Sequence, residues 1–250
     1  MNCMEKMELV NNFMEKSELV NEDWKKHYLK VLCFMGIVWI IQLIFVLAVG
    51  DEQLALALNG KVDDTFTDII KLYTNLLYLM IAGSAILTLI SMLPKFQKYR
   101  PLFLSMWLSY AISYVIIAPI KGIIDRRRPY ETLGSQINNF GKIEHDASMP
   151  SGHSGYSAAT MTPLALKLQK FKNIVVWPLF LIIHVIMMYT RAYLGVHWMT
   201  DLLVGSILGT LVSLAIVVIM DRLYAKQKMT PVIEWILVIF CTIVSIFALL

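Results

Sequence analysis

The chain has 250 residues, 58% of them hydrophobic and 16% charged, with a net charge of +4 and a mean hydropathy of +0.64. Soluble domains carry about 45–50% apolar and about 25% charged residues, so this balance excludes a disordered chain, a collagen, a disulfide-built mini-protein and an ordinary soluble domain. It leaves a polytopic membrane protein. The weak positive excess gives no reason to expect nucleic acid, and Cys3, Cys33 and Cys241 are too scattered for a disulfide framework or a zinc site.

The chain begins with a polar segment containing a ten-residue near-repeat, residues 4–11 against 14–21. Apolar positions 7, 10, 14 and then 20, 24 and 28 have helical spacing, which predicts an amphipathic helix on the inner membrane face. We read 1–30 as this cytoplasmic segment and 31–250 as one transmembrane domain. Seven apolar runs follow: 31–49, 69–93, 102–120, 154–168, 174–189, 199–220 and 232–250. The first reads as an anchor, because it is longer than a signal-peptide core and follows a long polar stretch. A hydrocarbon core of about 30 Å needs about 20 helical residues. The fourth and fifth runs are short by that measure and are expected to extend into their neighbours. Backbone groups in lipid must pair internally, so an all-α transmembrane bundle is expected.

With the N-terminus in the cytoplasm, fourteen of the 22 Lys and Arg residues fall on inner segments, in accord with the positive-inside rule. Arg126-Arg127-Arg128 breaks it by following a span on the outer side. Such a cluster needs another reason to be there, and an anionic ligand is the natural one.

Three clusters carry chemistry, all on that outer side. In the first, Lys121 and Arg128 are two helical turns apart and share a face if the helix continues to Pro129. Arginine offers a planar fork to phosphate oxygens and lysine a point charge. In the second, Pro150-Ser151-Gly152-His153 precedes the fourth span. A Ser-Gly pair opening a helix presents free N–H groups and the positive end of the dipole, and His153 adds a titratable proton. In the third, Arg191 precedes His197 and Asp201, which are spaced i, i+4 and are expected to face one another on a helix. A carboxylate on one imidazole nitrogen frees the other as nucleophile or base. Neither a carboxylate cluster for magnesium nor a three-histidine set for zinc is present in the sequence, so metal-free phosphoryl transfer through histidine is the chemistry that uses every part.

Lys-x6-Arg-Pro, Pro-Ser-Gly-His and Arg-x5-His-x3-Asp, in this order within 121–201, resemble the three signatures of the type 2 phosphatidic acid phosphatase superfamily. The resemblance implies a six-helix core, here with an extra C-terminal span, and an integral-membrane lipid phosphatase needing no cofactor. It implies that His197 attacks phosphorus, Asp201 orients it, and His153 protonates the departing oxygen and later activates water. Lys121, Arg128, Arg191, Ser151 and the Gly152 N–H would hold the phosphoryl oxygens. The third signature usually begins with serine; here Thr190 keeps the hydroxyl, and its methyl is a possible displacement of Arg191.

The implied partner is a lipid phosphate in the bilayer: phosphatidic acid, phosphatidylglycerol phosphate, undecaprenyl pyrophosphate or a lipid A phosphate. Arg126 and Arg127 are read either as favouring a diphosphate or as solvated flanks. Two alternatives stand: a phosphotransferase using an alcohol acceptor, and a non-catalytic anion transporter. His184 is expected to make a hydrogen-bonded helix contact. Gly205-x3-Gly209 is expected to pack helices within the chain, with a homodimer as the other use. Trp198, Tyr189, Tyr193 and Tyr130 fit an aromatic belt.

Overall fold

The computed structural model describes residues 24–62, 64–171 and 173–248. The N-terminal repeat, and the amphipathic helix expected there, lie outside the described residues apart from the start of α1. The helices are α1 (Trp24–Val49), α2 (Asp51–Leu58), α3 (Thr65–Ser91), α4 (Arg100–Ile124), α5 (Pro129–Leu133), α6 (Gly152–Lys167), α7 (Trp177–Tyr193), α8 (Met199–Ala225) and α9 (Pro231–Phe247). Seven of them match the seven apolar runs.

Among the described residues, α1, α3, α8 and the stretch containing α4 are long and apolar enough to cross a bilayer. Their outward faces are bare hydrocarbon: Ile37, Ile40 and Ile44 of α1 are each 59% exposed. Only lipid covers such a surface without cost. Helices α6 and α7 have 16 and 17 residues. They do extend past the apolar runs, as expected, but into the motif residues Gly152, His153 and Thr190 to Tyr193. Before α7 the expectation fails. Ile174 and Val175 do not begin the span; they pair antiparallel with Phe171 and Lys170 in a short hairpin, β1 (Lys170–Phe171) with β2 (Ile174–Val175), and Pro178 near the start of α7 sets its first turn.

Helix α6 lies at the centre, and its sequence explains why it can. It is built largely of Gly, Ala, Ser and Thr, and most of its residues are buried. Without a hydrophobic drive inside lipid, helices associate through close backbone approach and interhelical hydrogen bonds. Gly155 of α6 meets Gly205 and Gly209 of α8 so closely that a Cβ on Gly209 would lie 2.0 Å from the Gly155 oxygen. Ser154 Oγ donates to Leu202 O at 2.7 Å in the same seam. The glycine pair is thus spent inside the chain, as expected. His184 of α7 also acts as read from the sequence: its two nitrogens meet Ser157 Oγ and Ser206 Oγ, each at 2.8 Å, joining α6, α7 and α8.

The two ends of the bundle differ. One holds α2, α5 and the three motif segments. At the other, Arg100 pairs with Glu234 at 2.6 Å and Tyr224 donates to the same carboxylate at 2.9 Å, fastening α9 to α4 and α8. Lys167 and Asp221 are ion-paired there as well.

Candidate active site

Helix α4 stops at Ile124, where Asp125 caps it in the left-handed conformation with φ 46°. Lys121 therefore lies in the last turn, and Arg128 lies four residues beyond the helix, contrary to the expected continuous face. Pro129 does not end a helix but begins one: it occupies the first turn of α5, where a missing N–H costs nothing. Glu131 reaches back to accept from the Arg128 backbone N–H at 2.7 Å. This capping contact fixes Arg128 in extended backbone, and its side chain enters the protein fully buried.

Ser151 is the N-cap of α6, its Oγ accepting from Ser154 N at 3.4 Å. Accepting leaves the hydroxyl proton free to be donated elsewhere. Its own N–H goes to Asp201 O at 3.0 Å, which ties the second motif to the third. His153, in the first turn of α6, faces Tyr78 edge-on and lines a cavity of about 330 Å³ shared with Lys71, Glu144 and Arg191.

His197 precedes α8, and Asp201 belongs to its first turn, so the two do not sit on one helix as their spacing suggested. Asp201 Oδ2 instead accepts from Trp198 N at 2.9 Å and lies 3.4 Å from His197 Nδ1. On the other side of the ring, Arg128 Nη1 lies 3.3 Å from Nε2. A guanidinium only donates, so Nε2 accepts and Nδ1 carries the proton toward Asp201. Burial, and then the charge of Arg128, hold the His197 imidazole well below its ordinary pKa. It is a neutral ring whose Nε2 lone pair faces Arg128, with the charges of Arg191 and Lys121 also felt there.

The three cations, Lys121, Arg128 and Arg191, come together through two carboxylates that the sequence reading missed. Asp146 bridges Lys121 and Arg128, each at 2.5 Å, while Glu144 bridges Arg128 at 2.6 Å and Arg191 at 2.7 Å. Burial pushes the Asp146 carboxyl up, but the hydrogen bond and charge of Lys121 and the charge of Arg128 outweigh it and keep it below the usual range. Thr74 of α3 was missed too; its hydroxyl oxygen accepts from Arg191 Nη1 at 3.3 Å and lies 3.3 Å from Thr190 Oγ1. Thr190 gives its hydroxyl proton to Met187 O at 2.7 Å, and Arg191 beside it stays in the cluster through Glu144.

Arg126 is engaged within the fold rather than standing as a solvated flank. It stacks over Trp198 at 4.9 Å and clamps Asp201 Oδ1 at 2.8 Å and Asp51 Oδ2 at 2.8 Å. Arg127 is the exposed flank. Trp198 and Tyr193 are buried, and Tyr130 is partly so, which removes them from an aromatic belt. Trp198 Nε1 donates to Arg127 O at 2.8 Å, Tyr193 meets Thr67 Oγ1 at 3.0 Å, and Tyr130 donates to Glu144 O at 3.0 Å. Tyr189 alone of the four is exposed. Among the described residues no group of three His, Cys, Asp or Glu is placed to hold a metal ion.

The chain resembles known proteins. The family model of the PAP2 superfamily matches residues 98–225. An undecaprenyl-diphosphatase of Sulfolobus acidocaldarius is 29% identical over 118 residues, 47% of this chain and 55% of the relative, so the match spans about half of that protein. The crystal structure of a transmembrane PAP2-type phosphatidylglycerolphosphate phosphatase from Bacillus subtilis superposes with a TM-score of 0.53 and 20% identity, covering 80% of this chain and 97% of that one. At that identity the likeness concerns the fold.

Proposed function

The chain belongs to the PAP2 superfamily, and from that premise we propose that it is an integral-membrane phosphatase that hydrolyses a lipid phosphate monoester or diphosphate through a phosphohistidine. The observation that carries this reading is the position of Arg128: it touches His197 directly and is joined through shared carboxylates to both Lys121 and Arg191. Residues far apart in sequence are thus gathered into one cluster of three cations beside the His197 ring.

In the proposed sequence, Lys121, Arg128, Arg191, Ser151 Oγ and the Gly152 N–H hold the phosphoryl oxygens as charge spreads over them. His197 Nε2 attacks phosphorus as the bond to the leaving oxygen breaks, and His153 gives that oxygen its proton. Burial, ahead of the charges of Arg191, Lys121 and Arg128, holds the His153 imidazole well below its ordinary pKa; the dianion offsets those charges and to that extent favours the protonated form. Asp201 stabilises the proton on Nδ1 as positive charge develops in the ring. His153, now neutral, takes a proton from water; the resulting oxygen nucleophile attacks the phosphohistidine, releasing inorganic phosphate and restoring His197. The cavity beside His153 offers the leaving group a place. The names of the two similar proteins support a lipid-borne substrate, one a diphosphate and one a monoester. The charge distribution supports a site on the non-cytoplasmic face.

The test is phosphate release by the purified chain from a panel of lipid monophosphates and diphosphates, in excess chelator and without an alcohol acceptor. Turnover is expected on at least one lipid, and His197→Ala should remove about three decades of rate or more. The ring is neutral far into acid, so the acid limb of kcat/KM, corrected for substrate ionisation, is expected well below pH 6.5. Near-normal turnover by His197→Ala would end the nucleophile assignment.

A further inference from the structure

Burying three cations without counter-charge is expensive, and the fold supplies that counter-charge itself. Lys121, Arg128 and Arg191 are 9%, 0% and 3% exposed. Against them stand four carboxylate oxygens. Glu144 divides its pair between Arg191 and Arg128, and Asp146 divides its pair between Arg128 and Lys121, all within 2.5–2.7 Å. This is the pattern a tetrahedral dianion would make on the same three side chains. Both carboxylates come from one stretch between α5 and α6.

We propose that Glu144 and Asp146 form an internal plug, a pair of surrogate anions that fills the phosphoryl cradle and that substrate or product phosphate must displace. The proposal rests on the cradle assignment made above. Contact geometry favours the displacement. The carboxylate oxygens already hold the cation donors at 2.5–2.7 Å, and a dianion on the same donors would meet them as like charges at contact distance.

The stretch is built to let the carboxylates go. Phe140 N donates to Leu194 O at 3.1 Å and Ser148 N to Arg126 O at 2.8 Å, pinning both ends. Between them Lys142, Ile143, His145 and Asp146 are exposed, and no helix or strand holds them. The Asp146 side chain is 54% exposed, so rotation into water breaks two ion pairs without opening the bundle. Glu144 is 23% exposed and can turn toward the water that reaches it. The consequence is twofold. Anion affinity is lowered by the fraction of time the plug is seated. Its return also helps expel inorganic phosphate, which three buried cations would otherwise retain.

Vanadate and inorganic phosphate are the probes, bound at equilibrium to the full chain in detergent and read by titration calorimetry. Asp146→Asn and Glu144→Gln remove charge but keep shape and an oxygen for the guanidinium. Each single variant is expected to bind vanadate more tightly than the unaltered chain, and the double variant about tenfold or more. Product inhibition by phosphate should strengthen in step. Unchanged or weaker vanadate binding in folded Asp146→Asn overturns the plug; that half-exposed position carries the test if the double variant fails to fold. Binding is read without turnover. A chain that hydrolyses no lipid phosphate, yet gains vanadate affinity on these substitutions, would refute the proposed reaction and leave the plug standing. A working phosphatase whose variants gain nothing would refute the plug alone.

Discussion

Arg126 illustrates how little a residue's type says about its task. In sequence it is one of three consecutive arginines after a span, and only the spacing from Lys121 and the following Pro129 set Arg128 apart from it. In the fold they part: Arg128 turns into the cation cluster, whereas Arg126 holds Asp201 from behind and binds that carboxylate to Asp51 on α2. Arg126 is therefore a positioning residue, acting on His197 only through Asp201. Arg126→Gln is expected to lower kcat by about ten- to a hundredfold with KM nearly unchanged, the size of effect a small misplacement produces. Arg126→Lys should recover part of the loss. A rise in KM at constant kcat would instead make Arg126 a substrate ligand. The signature residues were legible because each motif packs them at fixed spacing. Asp51, Thr74, Glu144 and Asp146 were not, because lone polar residues on distant segments leave no local pattern, and only the fold shows what they meet.

At the scale of the element, hydropathy located seven helices correctly but not their ends. Ends are decided by local chemistry that hydropathy ignores: the left-handed Asp125 cap, the prolines opening α5 and α7, and the 170–175 hairpin. Nor can hydropathy say which helix is central. That follows from small residues, and here the α6–α8 seam makes a direct prediction. Gly209→Ala puts a methyl against the Gly155 backbone, which cannot yield as a side chain would. It should cost about 1–3 kcal/mol, read as a lower thermal midpoint, and because the seam leads to Ser151 and Asp201 it should lower activity as well. Gly36→Ala is the control: a Cβ there meets nothing within 4 Å, and the midpoint should hold or rise slightly. Equal losses at both positions would mean that loss of glycine, and not the seam, sets the stability.

For the whole molecule the question is which way it faces. The site end looks basic in sequence, yet the structure pairs Lys121, Arg126, Arg128 and Arg191 with Asp51, Glu144, Asp146 and Asp201 at that same end. Its apparent violation of the positive-inside rule is largely neutralised within the fold. Lys95, Lys98, Lys226 and Lys228 at the other end are exposed, and these are the cations that favour the cytoplasmic side. In a chain with Cys3, Cys33 and Cys241 replaced by serine, Lys142→Cys should react with a membrane-impermeant maleimide in intact cells. Lys228→Cys should react only after permeabilisation. The reverse result would turn the site toward the cytosol and require the phosphate to be released there. It would leave the cation cluster as drawn, because the contacts that build the cluster do not depend on which compartment supplies the water.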